Sequence, residues 1–223
     1  MNSDEIWAAI DDQRRRTANL LETLTAEQWD HPSLCDGWSV RHVAAHLTPT
    51  MQQQRIRDAI SFMASHPKVL RAGSLNGIIH DSAVLLAAEL SEAEIIGRIR
   101  GMEGLRRHNA FVTERGSLID ILVHGQDIAL PLGLTLDMPA EAAAEAAERV
   151  WATRHTWLGV VFRNHSLDPY RLTATDTDWS VGEGLDVRAS AGALLLLMTG
   201  RTARIDELEG AGADELRRSL VAG

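Results

Sequence analysis

Cysteine, lysine and long apolar runs are almost missing from this 223-residue chain. Cys35 is the one cysteine. No intramolecular disulfide can form, and a start without a signal-peptide pattern reads as a reducing, cytoplasmic setting. The longest apolar run, Ala191 to Met198, falls well short of the roughly 20 residues a membrane-spanning helix needs, so no membrane partner is expected. Lys68 is the sole lysine and the formal net charge is -9. With a pI near 5.4 the chain carries no basic footprint, which excludes nucleic acid as the main partner. There is no internal repeat, and no feature specifies an oligomeric state.

What is present is enough apolar material for a core, 45% of residues, in a length that suits one large domain or two small ones. The first part of the chain has helical spacing. Ser3 followed by Asp4 and Glu5 starts a helix carried by Ile6, Ile10, Thr17, Leu20, Leu21 and Leu24. Thr25 to Gln28 fits a capping box. Asp36-Gly37 marks a loop, and Ser39 caps the next helix, where Val40, Val43, Ala44 and Leu47 form the apolar face and Pro49 forces a kink or break. Helical composition resumes over 52–64 and again from Ile78 to Leu90. Ser91 to Glu94 is a second capping box, and Gly116-Ser117 opens a further helix that Pro131 and Gly133 end. Asp137 and Pro139 start an Ala- and Glu-rich helix to about Trp157.

Past Asn164 the texture changes. Tyr170, Leu172 and Ala174 alternate with polar residues, and Trp179 with Val181 and then Leu185, Val187 and Ala189 suggest two more strands in a meander. Ser190 caps a short buried helix stopped by Gly200, and a last helix runs from Ala213 to Leu220. The expectation is a mainly α protein: an antiparallel helical bundle over 1–160 and a small α+β lobe over 161–223.

One helix stands out chemically. In Ser117 to Pro131, Asp120, His124 and Asp127 sit at i, i+4 and i+7 and share a face, while almost every other position is apolar. Such a helix belongs inside a protein, and buried charges need partners or a metal. Asp120 and His124 can reach one divalent ion, and His46, lining the bundle interior from another helix, supplies a third arm with coordination positions left open. The bland reading of Asp120 and His124 is an ion pair. Asp127 is read as a carboxylate that orients a ligand histidine or bonds backbone at the helix end. Cys35 beside Trp38 reads as packing. The remaining histidines, His42 and His80 among them, have no spacing that singles them out and read mostly as surface residues. Arg201, just past Gly200, is a candidate for binding a carboxylate.

Two stretches in this order, Leu34-Cys35-Asp36-Gly37-Trp38-Ser39-Val40-Arg41-His42-Val43-Ala44-Ala45-His46-Leu47 and Asp120-Ile121-Leu122-Val123-His124-Gly125-Gln126-Asp127-Ile128-Ala129, resemble the mycothiol-dependent maleylpyruvate isomerase family within the DinB-like superfamily. Leu194 to Arg201 resembles that family's smaller second domain. The resemblance implies a DinB-like four-helix bundle whose divalent metal, commonly zinc, is held at the positions of His46, Asp120 and His124, with aspartate standing where the family typically has glutamate. It further implies a low-molecular-weight thiol, mycothiol or similar, activated as thiolate for attack on an electrophile, giving S-transfer or cis-trans isomerisation, with Arg201 as anchor for a carboxylate. A metal-dependent hydrolase using activated water and a non-catalytic DinB-like ligand-binding protein are the alternatives.

Overall fold

The computed structural model describes residues 1–52, 61, 65–66, 74–109, 112–156 and 166–221. Most of the helix expected over 52–64, and the Trp157 end of the Ala- and Glu-rich helix, lie outside them. The chain divides into two compact units, Ser3–Asp137 and Met1–Asn2 with Met138–Gly223.

The first unit is helical. It contains α1 (Ser3–Glu22), α2 (Ala26–Asp30), α3 (Val40–His46), α4 (Pro49–Gln52), α5 (Leu75–Glu89), α6 (Glu92–Arg100) and α7 (Glu114–Ala129). α1 lies along α7, α3 packs against both α5 and α7, and α6 lies on α1. Ile6, Ile10, Thr17 and Leu21 form the buried stripe of α1, at the helical spacing that binds one face to a core. They meet a core that includes Val43, Leu47, Ile95, Ile99, Leu118, Leu122 and Ile128.

Local chemistry sets the helix boundaries. Thr25 and Ser91 both form full capping boxes, with Gln28 and Glu94 reaching back to the cap amide, so two orphan donors are satisfied at each start. After His46, Leu47 closes α3 and Pro49 begins α4. The proline therefore breaks the helix and sits where its missing amide costs nothing. α7 begins at Glu114, not at Gly116-Ser117, because the Thr113 hydroxyl accepts from the Gly116 amide. Its far end runs into a short 3-10 turn, Leu130–Leu132, that Gly133 stops at φ 65°.

The second unit holds α8 (Ala140–Thr153), β1 (Tyr170–Ala174), β2 (Ser180–Gly182), β3 (Leu185–Ala189), α9 (Ala191–Met198) and α10 (Ala213–Val221). The alanine face of α8 packs against the wholly buried α9. That packing assigns α8 to this unit, so the division falls one helix earlier than the expected boundary at 160.

The sheet is not a meander. β1 pairs antiparallel with β2 and parallel with β3, in the order β2-β1-β3. Between β2 and β3 the chain crosses the start of β1 against backbone: a Cβ on Gly182 would lie 2.3 Å from the Tyr170 carbonyl oxygen, and one on Gly184 would lie 2.2 Å from that of Pro169. Both glycines have positive φ, a conformation side chains resist. The two glycines thus allow consecutive strands to flank β1 instead of pairing.

Candidate metal centre

Asp120, His124 and Asp127 come from α7, whose surface is buried nearly all round, as its apolar composition predicts. His46 is the last residue of α3 and only 8% exposed. The α3–α7 contact brings the two segments together. His46 Nε2 is 3.5 Å from Asp120 Oδ1, and His124 Nε2 is 3.4 Å from the same oxygen. The two imidazoles meet edge to face with centroids 4.9 Å apart. One ligand atom from each of His46, Asp120 and His124 lies within 4.8 Å of the others.

Those separations fit a cation better than a hydrogen-bonded cluster. Ligand atoms held at about 2.0 to 2.1 Å in a tetrahedron are about 3.3 Å apart, whereas a good N–H···O bond is about 2.9 Å long. The donor set, two imidazole nitrogens and a carboxylate oxygen, suits zinc or a neighbouring divalent transition metal. The second carboxylate oxygen of Asp120 is buried with no hydrogen-bond partner among the described residues, a costly state for an anion unless a positive charge faces it.

Electrostatics point the same way. Burial raises the Asp120 carboxyl, but the imidazoles of His46 and His124 overcome it and hold the group well below the usual carboxylate range. At His124 burial favours the neutral ring, yet the charge of Asp120, then the hydrogen bonds the ring makes with Asp120, Asp127 and Cys35, raise its titration well above 6.5. A positive charge beside Asp120, whether a proton on an imidazole or a cation, is therefore favoured.

A second cluster shares His124. Its Nδ1 is 2.8 Å from Asp127 Oδ2, and the Cys35 thiol donates to that same oxygen at 3.0 Å and lies 3.6 Å from Nδ1. Cys35, His124 and Asp127 could also group around a cation, but 2.8 Å is the length of a strong hydrogen bond and too short for a pair of ligand edges. Nor is this a cysteine-nucleophile arrangement, in which thiol and carboxylate would address opposite ring nitrogens. Here both lie on the Nδ1 side, away from the nitrogen that faces Asp120.

The α2–α3 loop delivers Cys35. Ser33 and Trp38 exchange a tight set of bonds, the Ser33 amide and hydroxyl both donating to the Trp38 carbonyl at 2.9 Å, and the Leu34 amide donates to the Asp127 carbonyl at 3.2 Å. Gly37 makes the turn at φ 73°. The loop thus sets Trp38 over the site, its ring 5.3 Å from His46, 6.2 Å from His124 and 6.0 Å from His80. His80 and Trp38 are the residues that sequence spacing missed. His80 is partly exposed and bonded to Asp81, so surface placement was half right. Trp38 carried one signal, its position beside a tight glycine turn; His80 on α5 carried none.

Arg201 belongs to the second unit. It is half-buried after Gly200, with its Nη1 donating to the Thr199 carbonyl at 2.6 Å and its amide to that of Leu196 at 2.8 Å.

Two family models now match in chain order: the mycothiol maleylpyruvate isomerase N-terminal domain over residues 10–102 and that family's C-terminal domain over residues 137–218. The chain belongs to the mycothiol-dependent maleylpyruvate isomerase family. Its fold is similar to the crystal structure of a mycothiol-dependent maleylpyruvate isomerase, with TM-score 0.56 and 13% identity, covering 96% of this chain and 94% of that one. A histidine-to-alanine variant of such an isomerase gives TM-score 0.58 at 11% identity with the same coverage. No curated protein matches the sequence. The second-unit match starting at 137 coincides with the structural division after Asp137.

Proposed function

We propose that this protein is a metal-dependent, thiol-dependent isomerase that uses mycothiol or a close analogue on an electrophilic substrate of the maleylpyruvate class, with His46, Asp120 and His124 holding a divalent cation, zinc by preference. The observation that carries the reading is the convergence of three ligand atoms at 3.4 and 3.5 Å edges from two separate helices, the first of which lies within the stretch matching the family's N-terminal domain.

A cation bound there supplies the charge that lowers a thiol's pKa and presents it as thiolate at neutral pH. The chain's own residues do the rest. His46 and His124 turn their Nε2 atoms toward Asp120 Oδ1, so three protein ligands would hold the cation and a thiol sulfur would supply a further one. Trp38, only 8% exposed, covers the imidazoles and limits water there, which strengthens the local electrostatics. Addition of a thiolate to a conjugated cis alkene gives a single bond that can rotate, and elimination of the same thiolate returns the trans product with the thiol regenerated. Arg201 lies in the second unit, and its expected carboxylate-binding role is proposed for that unit alone; Arg201→Ala is expected to weaken carboxylate binding with metal content unchanged.

The test is metal content by mass spectrometry of tag-free protein, followed by an assay of cis-trans isomerisation of maleylpyruvate with and without mycothiol. One equivalent of metal, lost in His46→Ala, and turnover only with the thiol are expected. Turnover without any thiol would mark water as the nucleophile, and absence of metal in the unaltered protein would defeat the metal assignment.

A further inference from the structure

Spacing leaves Asp127 between orienting a histidine and bonding backbone, and reads Cys35 as packing; the geometry joins the two residues in one arrangement beside the candidate metal site. Asp127 is completely buried, and a single oxygen, Oδ2, receives both the Cys35 thiol at 3.0 Å and His124 Nδ1 at 2.8 Å. The same residue's carbonyl takes the Leu34 amide at 3.2 Å. Two bonds therefore tie the loop bearing Cys35 to one residue of α7, and a third ties that residue to His124.

We propose that Asp127 is the positioning residue that keeps the proton of His124 on Nδ1 and so leaves its Nε2 lone pair for the cation position shared with Asp120 and His46, and that the Cys35 thiol acts as a second hydrogen-bond donor that locks the Asp127 carboxylate in place. The proposal rests on the metal site described above. A histidine ligand is held in one tautomer by whatever its other nitrogen bonds to. Without Asp127, the carboxylate facing the ring is Asp120, 3.4 Å from Nε2, so the tautomer protonated on Nε2 is favoured and the ring is freer to rotate about its side-chain bonds. Cys35 is then neither nucleophile nor ligand: its hydrogen is engaged on the carboxylate, and its sulfur lies on the ring side opposite Nε2. A consequence is chemical sensitivity, because alkylation of the thiol removes the donor and places bulk beside a buried carboxylate.

The experiment has two independent arms. In metal-free protein, 15N NMR of the imidazoles is expected to show a slowly exchanging proton on His124 Nδ1, lost in Asp127→Ala and kept in Asp127→Asn, whose carbonyl still accepts. In the second arm, zinc affinity measured by chelator competition is expected to fall about 10- to 100-fold in Asp127→Ala and to change little in Cys35→Ser, which keeps a donor, while Cys35→Val falls between them. The visible spectrum of the cobalt-substituted protein should shift in Asp127→Ala, a change that general loosening of the fold would not produce while far-UV circular dichroism stays constant. A rapidly exchanging Nδ1 proton in the unaltered protein overturns the proposal, as does Asp127→Ala with unchanged zinc affinity and cobalt spectrum. If the unaltered protein binds no metal yet shows the protected Nδ1 proton, the metal reading fails and the positioning bond stands. Should Asp127→Ala fail to fold, Asp127→Asn and the cysteine variants carry the comparison.

Discussion

His124 is a residue with two faces, and most of the local chemistry follows from keeping them apart. Nε2 looks toward Asp120 Oδ1, the oxygen that His46 Nε2 also approaches, at distances that suit a shared cation; Nδ1 looks toward Asp127 at hydrogen-bond length. Asp120→Ala is expected to abolish stoichiometric metal retention after dialysis, because no other carboxylate among the described residues groups with His46 and His124; retention at one equivalent would refute its role as ligand. Metal loading is also expected to alter tryptophan emission, since the Trp38 ring packs on both imidazoles. The chain has six tryptophans, so the check is Trp38→Phe, in which the metal-induced change should vanish. The i, i+4, i+7 stripe was readable because helical geometry fixes which residues share a face whatever the fold. His80 was not readable, because its approach to Trp38 depends on how α5 packs on α3, and nothing local encodes that.

At the scale of elements, helix ends were more legible than strand pairing. The Thr25 and Ser91 boxes are local in sequence and appear as expected, whereas the start of α7 moved because Thr113 was a better cap than the glycine-serine pair after it. The N-terminus of α3 uses an unusual partner: the Ser39 amide donates to His42 Nδ1 at 3.1 Å. Burial, then His80 and Arg41, hold the His42 imidazole below its ordinary 6.5, with Asp30 opposing them weakly. A histidine depressed in the folded state takes up protons more readily when unfolded. Its contribution is therefore intact above pH about 6.5 and declines as pH falls from there toward the folded value. His42→Gln keeps an acceptor at the same capping position and has no proton to gain, so urea titrations from pH 7 to 5 should show a flatter stability profile than the unaltered protein. In the sheet, Gly184→Ala should cost roughly 1–3 kcal/mol or more by urea unfolding, because its φ is 114° and the added Cβ meets the Pro169 carbonyl, which is backbone and cannot step aside. The three strands were legible as segments from their alternation; their order was not, because register and pairing are settled by the crossover glycines.

For the whole molecule, the relevant division lies after Asp137. The proposed cation-binding set falls in Ser3–Asp137, so a metal bound there would stabilise that unit directly. Free metal at 100 times Kd contributes about 2.7 kcal/mol by linkage. Chelation should therefore lower the melting transition followed by Trp38 emission by several degrees, and an unchanged midpoint would mean the folded unit does not select for metal. The helical class and the α+β character of the last part were legible because periodicity survives any tertiary arrangement. The boundary was misplaced because an alanine-rich helix carries little sign of its partner, and only its packing on α9 shows where it belongs.

The crossing at Gly182 and Gly184 has one more consequence. Strands that follow each other along the chain but flank a third cannot zip up from their own turn, so β3 has nothing to add to until β1 is in place. The β1–β2 hairpin is the local event, and docking of β3 closes a longer loop at greater entropic cost. Pulse-labelled hydrogen exchange during refolding should find the β1 amides bonded to β2 protected before those bonded to β3, making the parallel seam the last part of the sheet to form.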